Sequence, residues 1–233
     1  MEQPSEMALG RAKHGSPNAG VAHSGFLHKV ARKSAAWFSR TEFIVYRFDL
    51  RTQAVPGITP DLAVRLSTDA APVLEALGGF PDRYEIEPRN LESFRRWLSE
   101  GEICFSAWAG GQLAFYGWMQ FRCRRPAPLT RLPISPGGAF IYRCYTSAEF
   151  RGRKIYPAAL AFAFQELKSR GVGRAFIDHA TENVSSRRGI KRAGAVPIGR
   201  YTLFRFGLAR WASFEPRVRI AVSGPASSPT GEP

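Results

Sequence analysis

The order in which strand-like and helix-like segments follow one another most constrains how this chain of 233 residues can fold. Runs rich in β-branched and aromatic residues predict strands, and apolar residues at intervals of three and four predict helices. We predict strands at 43–50 and 62–66, helices at 69–77 and 91–98, a hairpin at 103–108 and 113–121, a strand at 139–146, a helix at 157–170, a strand at 175–178, a helix at 183–193 and one or two strands within 196–206. Hairpins combined with strand–helix–strand units indicate an α/β fold, with one mixed sheet and helices on both of its faces.

Both ends of the chain differ from this central region. Residues 1–24 are rich in Gly, Ser, Ala and Pro without a period, and residues 26–38 place apolar side chains on one side of a basic helical pattern. We expect this amphipathic helix either to dock on the folded body or to make peripheral contact with an anionic membrane. The predicted division is a flexible basic extension over 1–40, one domain over 41–207 and a C-terminal tail over 208–233.

Charge and composition narrow the classes of partner. Lys and Arg number 33 against 19 Asp and Glu, and the formal net charge of +14 favours nucleic acid, an anionic membrane or a phosphorylated ligand. Cys104, Cys123 and Cys144 are odd in number and fit no zinc spacing, and the four histidines are dispersed, so we expect neither a disulfide framework nor a metal site. No apolar run is long enough to span a membrane and no secretory leader is evident, which favours a cytoplasmic protein.

The segment that leads from the strand at 139–146 into the helix at 157–170 carries the clearest chemical signal. The strand ends, a basic turn with Arg151, Arg153 and Lys154 follows, and the helix begins. Backbone N–H groups at the start of a helix, the helix dipole and three cations together favour an anion such as a pyrophosphate. The sequence contains no P-loop, no glycine-rich dinucleotide fingerprint and no serine-hydrolase elbow.

Residues 139–206 resemble the GNAT superfamily of acyl-CoA-dependent N-acetyltransferases. The family pattern V-x-P-x-[YF]-R-G-x-G-[IL]-[GA], followed by a long helix, is similar to the run TSAEFRGRKIY at 146–156. The Asn that opens the family's next helix corresponds to Asn183, and the closing K-x-G-F run corresponds to residues 190–195. The resemblance implies a GNAT-like fold and acyl transfer, and it extends through the preceding helix pair and hairpin to about residue 60.

The resemblance also implies acetyl-CoA as the cosubstrate and a set of residues that bind it. The backbone of Tyr145 and Thr146 would pair with the pantetheine arm, the N–H groups of the turn would hold the pyrophosphate, and Asn183 would bind on the pantetheine side. The implied cofactor-binding residues are Tyr145, Thr146, Arg151, Gly152, Arg153, Lys154, Ile155, Tyr156 and Asn183. Lys154 and Tyr156 replace the two usual glycines, so we expect a tilted or narrowed turn.

The sequence lacks the general acid and the general base that the resemblance implies for proton transfer. Ile190 stands where many family members place a tyrosine as general acid, and residues 137–148 contain no carboxylate where a Glu base is often found. The remaining catalytic candidates are Tyr142, Asp178 and His179. Core packing is the alternative role for each of them. We expect catalysis to depend mainly on holding the amine against the thioester, with the amine deprotonated by solvent or a weak base.

Strand alternation predicts how the candidates on the strand at 139–146 are oriented. Tyr142 and Cys144 should share one face of the strand, and Tyr145 should take the other face. A covalent acyl-cysteine at Cys144 would require an adjacent base, and none is evident in the sequence.

The predicted function is therefore the transfer of an acetyl group from acetyl-CoA to the amine of a small molecule, such as an amino sugar or another metabolite. A basic protein tail is disfavoured as the acceptor because an Arg-rich surface would repel it. The alternative is a catalytically silent GNAT fold that binds CoA, a lipid or a nucleic acid. Aromatic residues of the hairpin at 103–121 could stack nucleic-acid bases, but no nucleic-acid-binding module accompanies them.

Overall fold

A computed structural model describes residues 38–84, 86–121, 137–206 and 209–216. The strands of this part of the chain are β1 (Phe38–Asp49), β2 (Arg65–Ser67), β3 (Ile103–Ala109), β4 (Gln112–Gln120), β5 (Gly138–Thr146), β6 (Arg174–Ala180), β7 (Val196–Phe206) and β8 (Ala209–Pro216). Its α-helices are α1 (Ala71–Gly79), α2 (Pro88–Ser99), α3 (Ile155–Ser169) and α4 (Val184–Arg192). None of these helices is long and apolar enough to cross a membrane.

All of these strands belong to one sheet, in the spatial order β2-β3-β4-β5-β6-β1-β7-β8. β5 and β6 run parallel, and every other pair of neighbours is antiparallel. Parallel neighbours need a long crossover, which α3 supplies. The sheet is therefore mixed, as the sequence predicts.

Successive residues of the strands point to opposite faces of the sheet, and helices cover each face. On one face, Ile141 and Ile177 lie in a buried cluster with the apolar side of α3 and with Ile190 of α4. On the other face, their neighbours Phe140 and Phe176 lie in a second cluster with side chains of α1 and α2. The predicted α/β architecture with helices on both faces is confirmed.

A β-bulge in β5 overturns one predicted detail. Between the paired positions Tyr142 and Tyr145, two residues of β5 lie opposite a single residue of β4. One of the two, Arg143, has a φ of 52°. An extra residue interrupts the alternation of side chains, so Tyr142 and Tyr145 both pack on the face that carries α1 and α2, while Cys144 packs against the opposite face. The prediction that Tyr142 and Cys144 share a face is therefore wrong.

Two helices begin elsewhere than the sequence predicts. The sequence predicts the first helix from residue 69, but α1 begins at Ala71 and Ala70 is its N-cap residue. Oδ1 of Asp69 instead accepts a hydrogen bond from the Ala71 N–H at 3.0 Å, which turns the chain just ahead of the helix. α3 begins at Ile155, two residues before Pro157. Proline is tolerated there because the N–H groups of the first turn have no intrahelical partner.

The last strand corrects the interpretation of the C-terminal segment. Residues 209–216, predicted to begin a tail, form β8 and pair with β7. The large apolar residues of this segment, Trp211 and Phe214, are three positions apart, so no period of two indicates a strand. Pairing with a long neighbouring strand, rather than local pattern, defines β8.

At the N-terminal side, residues 38–40 of the predicted extension belong to β1. The rest of that extension, including nearly all of its amphipathic helix, falls at residues 1–37, outside the described residues. The remainder of the predicted C-terminal tail, residues 217–233, lies outside them as well.

Candidate functional site

β5 and β6 separate partway along their length. Their parallel register runs from Gly138 opposite Arg174 to Ile141 opposite Ile177. Beyond this point β5 stays paired with β4 as far as Thr146, and β6 stays paired with β1. Because each strand follows its other neighbour, the sheet opens between them, and the bulge in β5 lies at the start of the opening.

A cavity of about 670 Å³ lies beside this opening. Its walls are the end of β5, the turn that follows, the first turn of α3 and one side of α4. The predicted cofactor-binding residues in its lining are Tyr145, Thr146, Arg151, Gly152, Lys154, Ile155, Tyr156 and Asn183. Arg153, the remaining member of the predicted set, lies outside the lining, and its carbonyl accepts a hydrogen bond from the Asp61 N–H at 3.1 Å. The structure thus brings together all of that set except Arg153.

The turn between β5 and α3 uses left-handed backbone conformations. Gly152 has a φ of 80° and Lys154 a φ of 57°, and Lys154 is the N-cap residue of α3. This region costs a residue with a side chain roughly 1–2 kcal/mol. Lys154 therefore adopts a conformation that usually favours glycine. The pattern of the family that the sequence resembles has a glycine at this position.

The side chain of Lys154 is held by an ion pair. Its ammonium nitrogen lies 2.5 Å from Oδ1 of Asp61, and both side chains are nearly half exposed. Arg151, together with Arg188 and Arg192 from α4, brings guanidinium groups to the same cavity lining. A ligand with several negative charges would meet these groups on two sides of the cavity.

Arg151 lies back along the end of β5. Its Nε donates a hydrogen bond to the Thr146 carbonyl at 3.0 Å, and its guanidinium carbon is 5.7 Å from the centre of the Tyr145 ring. The resemblance implies that the Thr146 backbone pairs with a pantetheine arm. Such an arm would either replace the bond from Arg151 or use the second lone pair of the carbonyl oxygen.

Asn183 is the N-cap residue of α4 and lies at the edge of the cavity. Its Oδ1 accepts hydrogen bonds from the Ser186 N–H at 3.0 Å and from the Ser185 hydroxyl at 2.9 Å. The oxygen thereby satisfies one of the backbone donors left open at a helix start. Any bond from Asn183 to a ligand would therefore come from its Nδ2 amide group, which is a donor.

Two of the predicted catalytic candidates form phenol–carboxylate pairs outside the cavity lining. Tyr142 is buried on the face that carries α1 and α2, and its hydroxyl donates a hydrogen bond to the Glu102 carboxylate. Nε2 of Gln120 donates to the same carboxylate at 3.1 Å. Asp178, on β6 at the opening, accepts a hydrogen bond from the Tyr201 hydroxyl at 2.5 Å. The part that Tyr142 and Asp178 play in proton transfer stays a prediction.

His179, the third candidate, is buried and bonded at both ring nitrogens. Nδ1 lies 2.7 Å from the Ala180 carbonyl oxygen and Nε2 lies 3.2 Å from the Tyr46 hydroxyl. These bonds hold the ring in the core next to Tyr46, so its predicted chemical role also stays a prediction. In the described ranges of the chain, no group of three His, Cys, Asp or Glu side chains is arranged to hold a metal ion.

The family of the chain is decided by a family model that covers this site. Residues 72–195 match the model of the Acetyltransferase (GNAT) family. The matched segment begins in α1 and ends just before β7, so it contains the opening, the turn and the capping residue Asn183. The chain belongs to the GNAT acetyltransferase family. No curated protein matches the sequence.

Solved GNAT structures share the fold at low sequence identity. A GNAT-family acetyltransferase from Colwellia psychrerythraea aligns with a TM-score of 0.54 and 15% identity, over 78% of this chain and 61% of its own. A fungal glucosamine N-acetyltransferase region within a multi-domain GH3 β-N-acetylglucosaminidase has a TM-score of 0.54 and 16% identity, over 82% and 24%. A GCN5-related N-acetyltransferase from Sphaerobacter thermophilus has a TM-score of 0.50 and 18% identity, over 81% and 59%. This chain therefore spans about three fifths or less of the length of these proteins, and the likeness is one of fold.

Glu102 and Tyr201, which complete the two phenol–carboxylate pairs of this GNAT chain, were not predicted from the sequence. Glu102 follows a helix end, where a carboxylate is ordinarily solvated, yet it is only 7% exposed. Tyr201 lies in an aromatic-rich strand and reaches Asp178 only because β1 stands between β6 and β7. The period of two along β7 identifies the face of Tyr201, but the strand order that selects its partner is not a local property of the sequence.

Tyr156 is the largest departure of this GNAT chain from the family's glycine pattern, and α4 accommodates it. A Cβ atom added at Gly189 would lie 2.3 Å from Cδ1 of Tyr156. The Tyr156 hydroxyl lies 3.2 Å from Oγ of Ser186, and its ring centre lies 5.9 Å from that of Phe115. The ring thus occupies space between α3 and α4 that the missing side chain at 189 leaves open.

Proposed function

We propose that this GNAT chain transfers an acetyl group from acetyl-CoA to the amine of a small molecule. The observation that carries the proposal is the cavity beside the opening between β5 and β6. Its lining joins a strand end, a helix N-terminus and guanidinium groups, which suit the amide-containing arm, the pyrophosphate and the remaining phosphate of CoA. The proposal includes acetyl-CoA as cosubstrate and no metal ion.

The two cationic sides of the cavity would bind the phosphates. N–H groups of the first turn of α3 point out of the helix N-terminus, and Arg188 and Arg192 line the cavity from α4. Arg151 would leave the Thr146 carbonyl and turn toward a phosphate, which would expose the end of β5 to the pantetheine arm. Asn183 would donate from Nδ2 to a carbonyl of that arm.

The acceptor amine would approach the thioester in its neutral form. Asp178 lies at the opening with its carboxylate bonded to Tyr201, and we propose it as the group that receives the proton of the attacking amine. A small molecule, such as an amino sugar or another metabolite, is the proposed acceptor because the net charge of +14 repels basic protein tails. The rate should rise with pH until the acceptor amine is fully neutral.

We propose that the protein acts in the cytoplasm. Within the described residues, Cys104 and Cys144 form no disulfide, as is usual in a reducing compartment such as the cytoplasm. We further propose that residues 41–207 hold the catalytic unit, and that the basic segment 26–38 either docks on this unit or contacts an anionic membrane.

Titration calorimetry with acetyl-CoA tests the placement of the phosphates. Arg151→Ala combined with Lys154→Ala should weaken binding about tenfold or more, because each charged hydrogen bond contributes roughly 1–2 kcal/mol. Arg89→Ala combined with Arg95→Ala removes the same charge from exposed positions of α2 and should leave the affinity unchanged. Equal affinity in the wild type and in the turn variant would reject this placement.

Turnover with a panel of small amines, followed by release of the CoA thiol, tests the reaction itself. Acetyl-CoA that binds but is consumed with none of the amines would favour the catalytically silent GNAT fold. A wild-type protein that does not bind acetyl-CoA would overturn the proposal as a whole.

A further inference from the structure

The peptide group that ends β5 presents a hydrogen-bond acceptor to the opening between β5 and β6. The Ser147 N–H donates to the Ala114 carbonyl of β4 at 3.0 Å, so this N–H points toward β4. In a planar trans peptide group the N–H and the carbonyl point in opposite directions. The Thr146 carbonyl, which belongs to the same peptide group, therefore points away from β4 and toward the opening. An extended arm with amide N–H groups would bind this oxygen as an added strand does.

The side chain of Arg151 already binds this acceptor. Its Nε donates to the Thr146 carbonyl at 3.0 Å, and its guanidinium carbon lies 5.7 Å from the centre of the Tyr145 ring. We call these two contacts the Arg151 latch. The latch places the guanidinium against the end of β5, on the oxygen that faces the opening, where an arm would have to bind.

The tyrosine that takes part in the latch is itself held by the fold. The Tyr145 ring stacks on the buried ring of Tyr116, with the two centres 5.6 Å apart. Its hydroxyl donates to the Arg83 carbonyl at 3.4 Å. A ring that is fixed in this way offers the guanidinium a defined surface for a cation–π contact. The latch is therefore a specific contact of an otherwise exposed side chain.

A phosphate bound at the turn would compete with the Thr146 carbonyl for Arg151. Arg151 and Lys154 line the cavity together with the first turn of α3, where we place the pyrophosphate. A guanidinium binds a phosphate through two charge-assisted hydrogen bonds, and each of these is stronger than a bond to a neutral carbonyl. The pantetheine arm carries no charge, so the arm by itself offers Arg151 no such partner.

We propose that the Arg151 latch couples the two halves of the acyl-CoA and selects against thioesters that lack phosphates, an inference that rests on the proposed function. The phosphates draw the guanidinium off the Thr146 carbonyl, and the exposed oxygen then accepts a hydrogen bond from an amide N–H of the arm. An arm without phosphates has to displace the guanidinium by itself and therefore binds weakly. Arg151 is thus a specificity-determining residue that favours CoA thioesters over thioesters of bare pantetheine.

Separate binding of the two halves of CoA tests the coupling without an acceptor. Pantetheine carries the arm and the thiol, and adenosine 3′,5′-bisphosphate carries phosphates without the arm. Ligand-observed NMR on the wild type should show about fivefold tighter binding of pantetheine once the protein is saturated with the bisphosphate. In Arg151→Ala, pantetheine alone should bind about fivefold more tightly than it binds the wild type, and the bisphosphate should no longer change its affinity.

The same variant should bind intact CoA more weakly than the wild type does, because it loses a phosphate contact. A gain in affinity for the arm together with a loss for the whole ligand does not follow from a merely structural role of Arg151. Arg187→Ala is the control, because it removes an equal charge from α4 outside the cavity lining. It should bind pantetheine as the wild type does, with and without the bisphosphate.

Two results would overturn the latch. One is an affinity for pantetheine that is equal or lower in Arg151→Ala than in the wild type, and the other is pantetheine that binds neither protein. In both cases the proposed function stands as long as the wild type binds CoA. A wild type that fails to bind CoA would overturn the latch and the proposed function together.

Discussion

Among single residues, the contact between Tyr156 and Gly189 couples the cavity to α4. A Cβ atom at 189 would lie 2.3 Å from Cδ1 of Tyr156, so even a methyl group requires the ring to move. Replacing Gly by Ala inside a helix ordinarily stabilises a protein by about 0.5–1 kcal/mol. We expect Gly189→Ala to lower the free energy of unfolding instead, by about 1–3 kcal/mol, because the site is already filled. Urea unfolding at equilibrium measures the change.

Two further variants isolate the ring as the cause. Gly78→Ala is the matched control, because no atom lies within 4 Å of the added carbon on α1, and it should raise the free energy of unfolding by about 0.5–1 kcal/mol. In a Tyr156→Ala background, Gly189→Ala should no longer destabilise the protein, since the ring is absent. A penalty that persists in that background would contradict the assigned contact.

Among the elements, α4 depends on one capping residue that also borders the cavity. Asn183→Ala removes the oxygen that accepts from the Ser186 N–H, so it should cost about 1 kcal/mol of unfolding free energy and also weaken acetyl-CoA binding. Asn183→Ser restores a capping oxygen but no amide donor. It should therefore keep nearly the wild-type stability while binding acetyl-CoA as weakly as the alanine variant. Chemical unfolding and calorimetry on both variants separate the two roles, and wild-type affinity in Asn183→Ser would restrict Asn183 to capping.

Elements with a local chemical signal are those that the sequence predicts well. The β3–β4 hairpin is predicted from two apolar runs that a short segment separates. That segment contains Gly110 and Gly111, which take φ values of 55° and 77°, as a two-residue loop requires. All of the predicted cofactor-binding residues that line the cavity, except Asn183, belong to one contiguous strand–turn–helix motif. By contrast, the bulge at Arg143 and the pairing of β8 arise from contacts with neighbouring strands. The pair Asp178–Tyr201 likewise depends on a strand order that local patterns do not specify.

For the molecule as a whole, the net charge of +14 acts on an anionic ligand over two ranges. All of the cations attract acetyl-CoA during its approach, but salt screens this attraction beyond a Debye length of about 10 Å at 0.1 M. Within the cavity, the guanidinium groups of Arg188 and Arg192 act at short range from exposed positions on α4. The affinity for acetyl-CoA should therefore depend more on the position of a positive charge than on the total net charge.

Two double variants that remove the same charge distinguish the effect of charge position from the effect of total charge on affinity. Arg188→Gln with Arg192→Gln, and Arg95→Gln with Arg96→Gln on the exposed side of α2, each remove two positive charges. We expect wild-type affinity for acetyl-CoA to fall about tenfold between about 0.05 and 0.5 M salt, because the ligand is multiply charged. The α4 pair should lose about tenfold in affinity at low salt and show a shallower salt dependence, since the charges that act at the ligand are gone. The α2 pair should follow the wild-type curve closely. Equal losses in the two variants would show that the overall field, and not the lining of the cavity, governs binding.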